Sequence, residues 1–142
     1  MNALGDLKRH ERQYPAALRW YQQVIARDPN NYDALYGAGA SYQLMHQADA
    51  LPLLRRALKS DPSSLAARMA LGEALLTDNA AEAVTFLEQA AKADPNFRRL
   101  QFLLGRAYQA VGRGEEARLA FERSRALAAQ EDEEDRKSLG GK

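Results

Sequence analysis

The chain has 142 residues, 46% of them hydrophobic and 27% charged, which is enough to bury a continuous core and fits one elongated domain better than two. Its formal net charge of +1 gives no overall field that would favour nucleic acid or an anionic membrane, and zero cysteines exclude disulfides and thiolate metal sites. The N-terminal residues MNALGDLKRHER lack a signal-peptide apolar core, and no run approaches the length of a membrane span, so the expectation is a soluble protein of a reducing, cytoplasmic compartment.

The punctuation is periodic. Asp28-Pro29, Asp61-Pro62 and Asp94-Pro95 place prolines 33 residues apart, and proline cannot continue a helix interior. Each pair ends one helix and the next residues lead into another. Between them, Ala, Leu, Arg, Glu and Gln predominate without a β-branched alternating run, so helices are expected and strands are not.

The chain then reads as 1–29, a truncated first repeat; 30–62, a second; 63–95, a third; 96–130, a fourth; and 131–142, an acidic and then glycine-containing disordered tail. Breaks at Met45-His46-Gln47, Thr77-Asp78-Asn79 and Gly112-Arg113-Gly114 split the later intervals into two helices, A and B. Helix A superimposes Leu4-Gly5, Ala38-Gly39, Leu71-Gly72 and Leu104-Gly105, followed after three residues by Lys8, Tyr42, Leu75 and Tyr108. Helix B superimposes Ala17, Ala50, Ala83 and Ala117, then Tyr21, Leu54, Leu87 and Phe121, then Val24, Ala57, Ala90 and Ser124. Small residues thus fall where two backbones approach and large ones where the gap must be filled.

This register of small, large and proline positions resembles the tetratricopeptide repeat family over roughly residues 1 to 128. The resemblance implies an all-α, right-handed α-solenoid of about four helix-turn-helix repeats. Where the family favours tryptophan early in helix A, this chain has Leu35, Arg68 and Gln101, and in the last two repeats the aliphatic side-chain stems are expected to seal the spot. Because Met1 falls inside the first helix A and no capping helix follows the fourth repeat, the expectation is a fragment of a longer protein. Weak self-association through the terminal apolar residues Leu4, Leu7, Phe121 and Leu127 is expected with it.

Motifs for chemistry dissolve when placed on these helices. Gly112-Arg113-Gly114-Glu115-Glu116-Ala117 fits a dinucleotide fingerprint but follows a helix, not a strand. His10 and His46 stand alone, Glu115-Glu116 sit favourably in the first turn of a helix, and no Ser-His-Asp set assembles. No enzyme, cofactor or metal is expected. Arg98, Arg99, Arg106, Arg113, Arg118, Arg123 and Arg125 make the last repeat locally basic, which keeps an RNA-binding repeat open as an alternative, diluted by Glu115, Glu116 and Glu122.

The family resemblance implies that helix A lines a concave face. Carried over position by position, that face holds Tyr36, Ala40 and Gln43 from the second repeat, Met69, Glu73 and Leu76 from the third, and Arg99, Phe102, Arg106 and Gln109 from the fourth. Tyr36, Met69 and Phe102 form an apolar stripe, either a binding surface or a cover for the seam between helices. The positions at which relatives clasp a C-terminal carboxylate with lysine and asparagine hold Asn2, Asp6, Gly37, Ala66 and Leu103, which does not fit that use. The expected function is a protein-interaction module that binds a peptide segment, with an acidic segment suited to Arg99 and Arg106; a self-assembling scaffold is the other alternative.

Overall fold

The computed structural model describes residues 14–140, which form seven helices and, among the described residues, no strand. They are α1 (Tyr14–Arg27), α2 (Tyr32–Leu44), α3 (Ala50–Ser60), α4 (Leu65–Leu75), α5 (Ala80–Ala93), α6 (Arg98–Ala110) and α7 (Gly114–Gly140). Residues Asn2, Leu4, Asp6, Leu7, Lys8 and His10, which entered the sequence reading, lie outside the described residues.

The Asp-Pro pairs stop helices, and their aspartates do more than precede a proline. Asp61 and Asp94 cap α3 and α5 by donating their N–H to the carbonyls of Ala57 and Ala90. Each carboxylate then accepts the N–H two residues on, Ser63 and Asn96, both at 3.2 Å. That is an Asx turn, which reverses the chain after the proline. Starts are capped by short polar side chains: Asn31 Oδ1 accepts from Ala34 N–H at 2.9 Å, Ser64 Oγ from Ala67 N–H at 3.0 Å, and Asn79 Oδ1 from Glu82 N–H at 3.2 Å.

Two of the inner turns share one geometry. After α6, Arg113 N–H reaches back to Tyr108 C=O and Gly112 N–H to Gln109 C=O, with Gly112 at φ +80°. After α2, Gln47 N–H bonds Tyr42 C=O and His46 N–H bonds Gln43 C=O, with His46 at φ +55°. Both are Schellman closures, in which the residue past the cap must adopt the left-handed conformation. Glycine does so freely; His46 does so against its Cβ.

Contacts divide the chain into two compact units at Ala74/Leu75. In the unit ending at Ala74, α2 packs on α1 and α3. The core of α1 and α2 is Ala17, Leu18, Tyr21, Val24, Ala34 and Ala38, with Trp20, Ile25, Tyr42, Met45 and Leu53 against it. Two glycines admit the neighbours: a Cβ on Gly37 would lie 2.4 Å from the Tyr21 ring, and one on Gly39 would lie 2.7 Å from Leu54 Cδ2. Their two-residue spacing turns them about 200° apart on the helix, so each faces a different partner. In the unit beginning at Leu75, α6 packs on α5 and α7. A Cβ on Gly105 would lie 2.6 Å from Phe121, matching the Gly39–Leu54 approach in the other unit. Ala17, Ala50, Ala83 and Ala117, superimposed in the sequence, are all buried.

The tail differs from the expectation. Residues 131–140, read as disordered from their charge and glycine content, continue α7 to Gly140 with every side chain exposed. Glu, Lys, Arg and Leu are strong helix formers, and Glu133–Lys137 at 3.4 Å has the favourable i,i+4 order, so local preference carries the helix where packing does not.

Candidate functional site

In the unit ending at Ala74, Tyr36 is half-buried and its ring stacks on Tyr32, with centroids 5.8 Å apart and planes 12° apart. Tyr32 in turn shares a 2.5 Å hydrogen bond with Ser64 Oγ, at the cap of α4. Burial, partly offset by that bond, raises the Tyr32 phenol above its ordinary pKa, so it stays protonated at neutral pH. Tyr36 is therefore fixed by a neighbour that is itself pinned. Ala40 is buried and adds little surface; Gln43, Met69 and Glu73 are half-buried, and Glu73 is already engaged in an interaction.

In the unit beginning at Leu75, the sequence-derived residues converge more closely. Leu76, Arg106 and Gln109, with Thr77 and Ala110, line one depression of about 250 Å³. Phe102, one turn before Arg106 on α6, is 43% exposed, an unusual state for a large aromatic. Its buried side is not idle. The ring lies 5.8 Å from Phe121 at a 59° tilt, so it belongs to the α6–α7 contact as well as to the surface. Arg106 is exposed and makes no ion pair among the described residues, while Arg99 is exposed but engaged.

Other sequence candidates are consumed by structure. Arg113 pairs with Glu116, its Nε donating to Oε1 at 2.7 Å, and lies over the Tyr108 ring at 4.7 Å. Arg118 is held between Glu115 and Glu122, and Arg98 pairs with Glu131 at 3.2 Å. Glu115 and Glu116 are accordingly held below the ordinary carboxylate range by hydrogen bonds from Arg118 and Arg113, the opposite of the raised pKa that a general acid needs. Tyr108 OH donates to Glu88 Oε2 at 2.7 Å, and burial followed by that carboxylate pushes the phenol up to about 12. His46 closes a turn. Among the described residues no group of three or more His, Cys, Asp or Glu could hold a metal ion, and no helix is long and apolar enough to cross a membrane.

Two tetratricopeptide repeat models match the sequence, one over residues 2–42 and 47–95 and one over 77–139. The chain belongs to the tetratricopeptide repeat family. Its similarity to solved structures agrees: a crystal structure of MamA is 28% identical with a TM-score of 0.79, covering 87% of this chain and 73% of that one. Another MamA crystal structure is 28% identical with a TM-score of 0.80, covering 88% and 69%. MamA 41-end from Desulfovibrio magneticus RS-1, at 22% identity and a TM-score of 0.83 over 92% and 75%, adds a likeness of fold. Curated protein sequences give no match. As a tetratricopeptide repeat protein, the chain is a helical-repeat scaffold of the kind that carries protein–protein interactions.

Two features were missed in the sequence: the pinning of Tyr36 through Tyr32 and Ser64, and the double duty of Phe102. The i,i+4 spacing of Tyr32 and Tyr36 was the available signal for the first.

Proposed function

We propose that the chain is a non-catalytic interaction module that binds a peptide segment of a partner protein along the helix-A face, and that the segment is acidic. The observation that carries the reading is Phe102, 43% exposed beside a depression lined by Leu76, Arg106 and Gln109. An aromatic held by a second ring is a preorganised anchor, and such anchors dominate interface energies. Arg106, without an ion pair among the described residues, sits where a partner's carboxylate would complete it, and a charge-assisted hydrogen bond of that kind is among the stronger polar contacts. Arg99 lies one turn before Phe102 on α6, and in the unit ending at Ala74 the half-buried Tyr36, Gln43, Met69 and Glu73 are the helix-A candidates, with Ala40 buried.

The RNA alternative is weakened by the pairing of Arg98, Arg113 and Arg118 with carboxylates, which leaves fewer cations for phosphate. Self-association keeps some support from Leu119, 40% exposed on α7. Selection of a random peptide library against the chain tests the reading. Peptides with an apolar anchor beside Asp or Glu, losing affinity for Arg106→Glu, are expected. Binders that ignore Arg106→Glu would count against the acidic segment.

A further inference from the structure

A cavity of about 560 Å³ opens between α5, α6 and α7, within the unit beginning at Leu75. Its lining includes Glu88 and Lys92 from α5, Pro95 from the turn after it, Gln101 and Tyr108 from α6, and Arg123 from α7. It is separate from the proposed peptide face. On a helix of 3.6 residues per turn, Gln101 and Tyr108 share one stripe, while Phe102, Arg106 and Gln109 share another, rotated by roughly a third of a turn.

Gln101 is the informative residue. It is 2% exposed, and its Nε2 donates to Pro95 C=O at 2.8 Å, which fixes the orientation of the amide. The acceptor Oε1 is then buried with no hydrogen-bond partner. Such an atom keeps its full desolvation penalty unless a donor reaches it. The neighbouring charges are also incomplete. Lys92 and Arg123 make no ion pair among the described residues, although Glu88 is one helical turn from Lys92. Glu88 is anchored through its Oε2 by Tyr108 OH, with Arg113 at 3.8 Å. The cavity therefore offers two cations without an ion pair among the described residues, one oriented carboxylate and one unmet acceptor, a set that a ligand with both an anionic end and a cationic donor end would complete.

We propose that this cavity binds a small zwitterion of amino-acid or dipeptide size, its carboxylate on Lys92 and Arg123 and its ammonium on Gln101 Oε1 and Glu88. The volume falls in the range of small-molecule pockets, about 300–1,000 Å³. Neither end alone satisfies the site: an anion leaves Oε1 unmet, and a cation leaves Lys92 and Arg123 without a counter-charge.

The test is an NMR titration of the isotope-labelled full chain with L-alanyl-L-alanine, read at the Gln101 side-chain amide. A saturable shift is expected. The N-acetylated dipeptide, which lacks the ammonium, and the dipeptide amide, which lacks the carboxylate, should each bind at least about tenfold more weakly, the cost of one charge-assisted hydrogen bond. Arg123→Glu and Lys92→Glu, both at exposed positions, should cost a similar factor without disturbing the fold, so the proposal does not depend on Gln101→Leu folding. Comparison with L-alanine decides between amino-acid and dipeptide size. No saturable shift, equal affinity for the blocked dipeptides, undiminished binding to Arg123→Glu, or a bound water satisfying Oε1 with no response to dipeptide would each overturn it.

Discussion

Gly39→Ala tests the helix packing most sharply, because the structure sets two opposing effects against each other. The added Cβ would lie 2.7 Å from Leu54 Cδ2, 2.8 Å from Leu54 Cγ and 3.3 Å from Leu54 N, against an ordinary carbon contact of about 3.5–4.0 Å. Leu54 is fully buried, so a new χ1 rotamer would carry Cγ and Cδ2 into an occupied core, and its backbone N stays close whatever the rotamer. Helices α2 and α3 must separate by several tenths of an ångström, an overpacking cost of about 1–3 kcal/mol. Alanine's better helix propensity returns up to about 1 kcal/mol. Gly114→Ala at the start of α7 is the control: nothing lies within 4 Å of its Cβ, so it lacks the clash. Gly39→Ala should therefore be about 1–3 kcal/mol less stable than Gly114→Ala in urea denaturation followed by far-UV circular dichroism. The single Trp20, packed on the α1–α2 core, should report the loss locally by fluorescence. Equal stability of the two variants would refute the close approach of α2 and α3.

Three further outcomes follow from local geometry. His46→Gly relieves a left-handed residue at φ +55° and should raise stability by about 0.5–1 kcal/mol in the same denaturation, whereas Gly112→Ala at φ +80° should lower it by about 1 kcal/mol. The raised pKa of Tyr108, about 12 in the folded chain against about 10 unfolded, contributes stability that is fully present below pH ~10 and lost as pH rises toward ~12. Urea midpoints across that range should show a decline in the wild type that is reduced in Tyr108→Phe. Deleting residues after Glu131 keeps the Arg98–Glu131 pair and removes only exposed helix, so dichroism should fall while the unfolding free energy stays within about 0.5 kcal/mol of wild type.

The helical repeat was legible because its signals are backbone rules that recur: proline after aspartate, and small residues at helix crossings. His46 was not legible as a left-handed residue, since its alignment with Gly112 shows only once the two turns are seen to close alike. Gly37 was legible in principle; two glycines at i and i+2 imply two neighbours on opposite sides. Composition misled at residues 131–140, because Glu, Lys and Arg enrich both disordered segments and exposed helices. Leu76, Arg106 and Gln109 line one depression, a grouping of side chains that spacing alone does not give. The Gln101 cavity depends on side-chain volumes and amide orientation, which periodicity does not encode.

Calorimetric titration of a selected acidic peptide into Phe102→Ala addresses the interaction face most directly, with Lys59→Ala on α3 as the control. Truncating the exposed ring while Phe121 remains should weaken binding by about 1–3 kcal/mol, or about 5- to 150-fold, and Lys59→Ala should leave affinity unchanged. Undiminished affinity in a folded Phe102→Ala would contradict the assignment of the helix-A face as the binding surface.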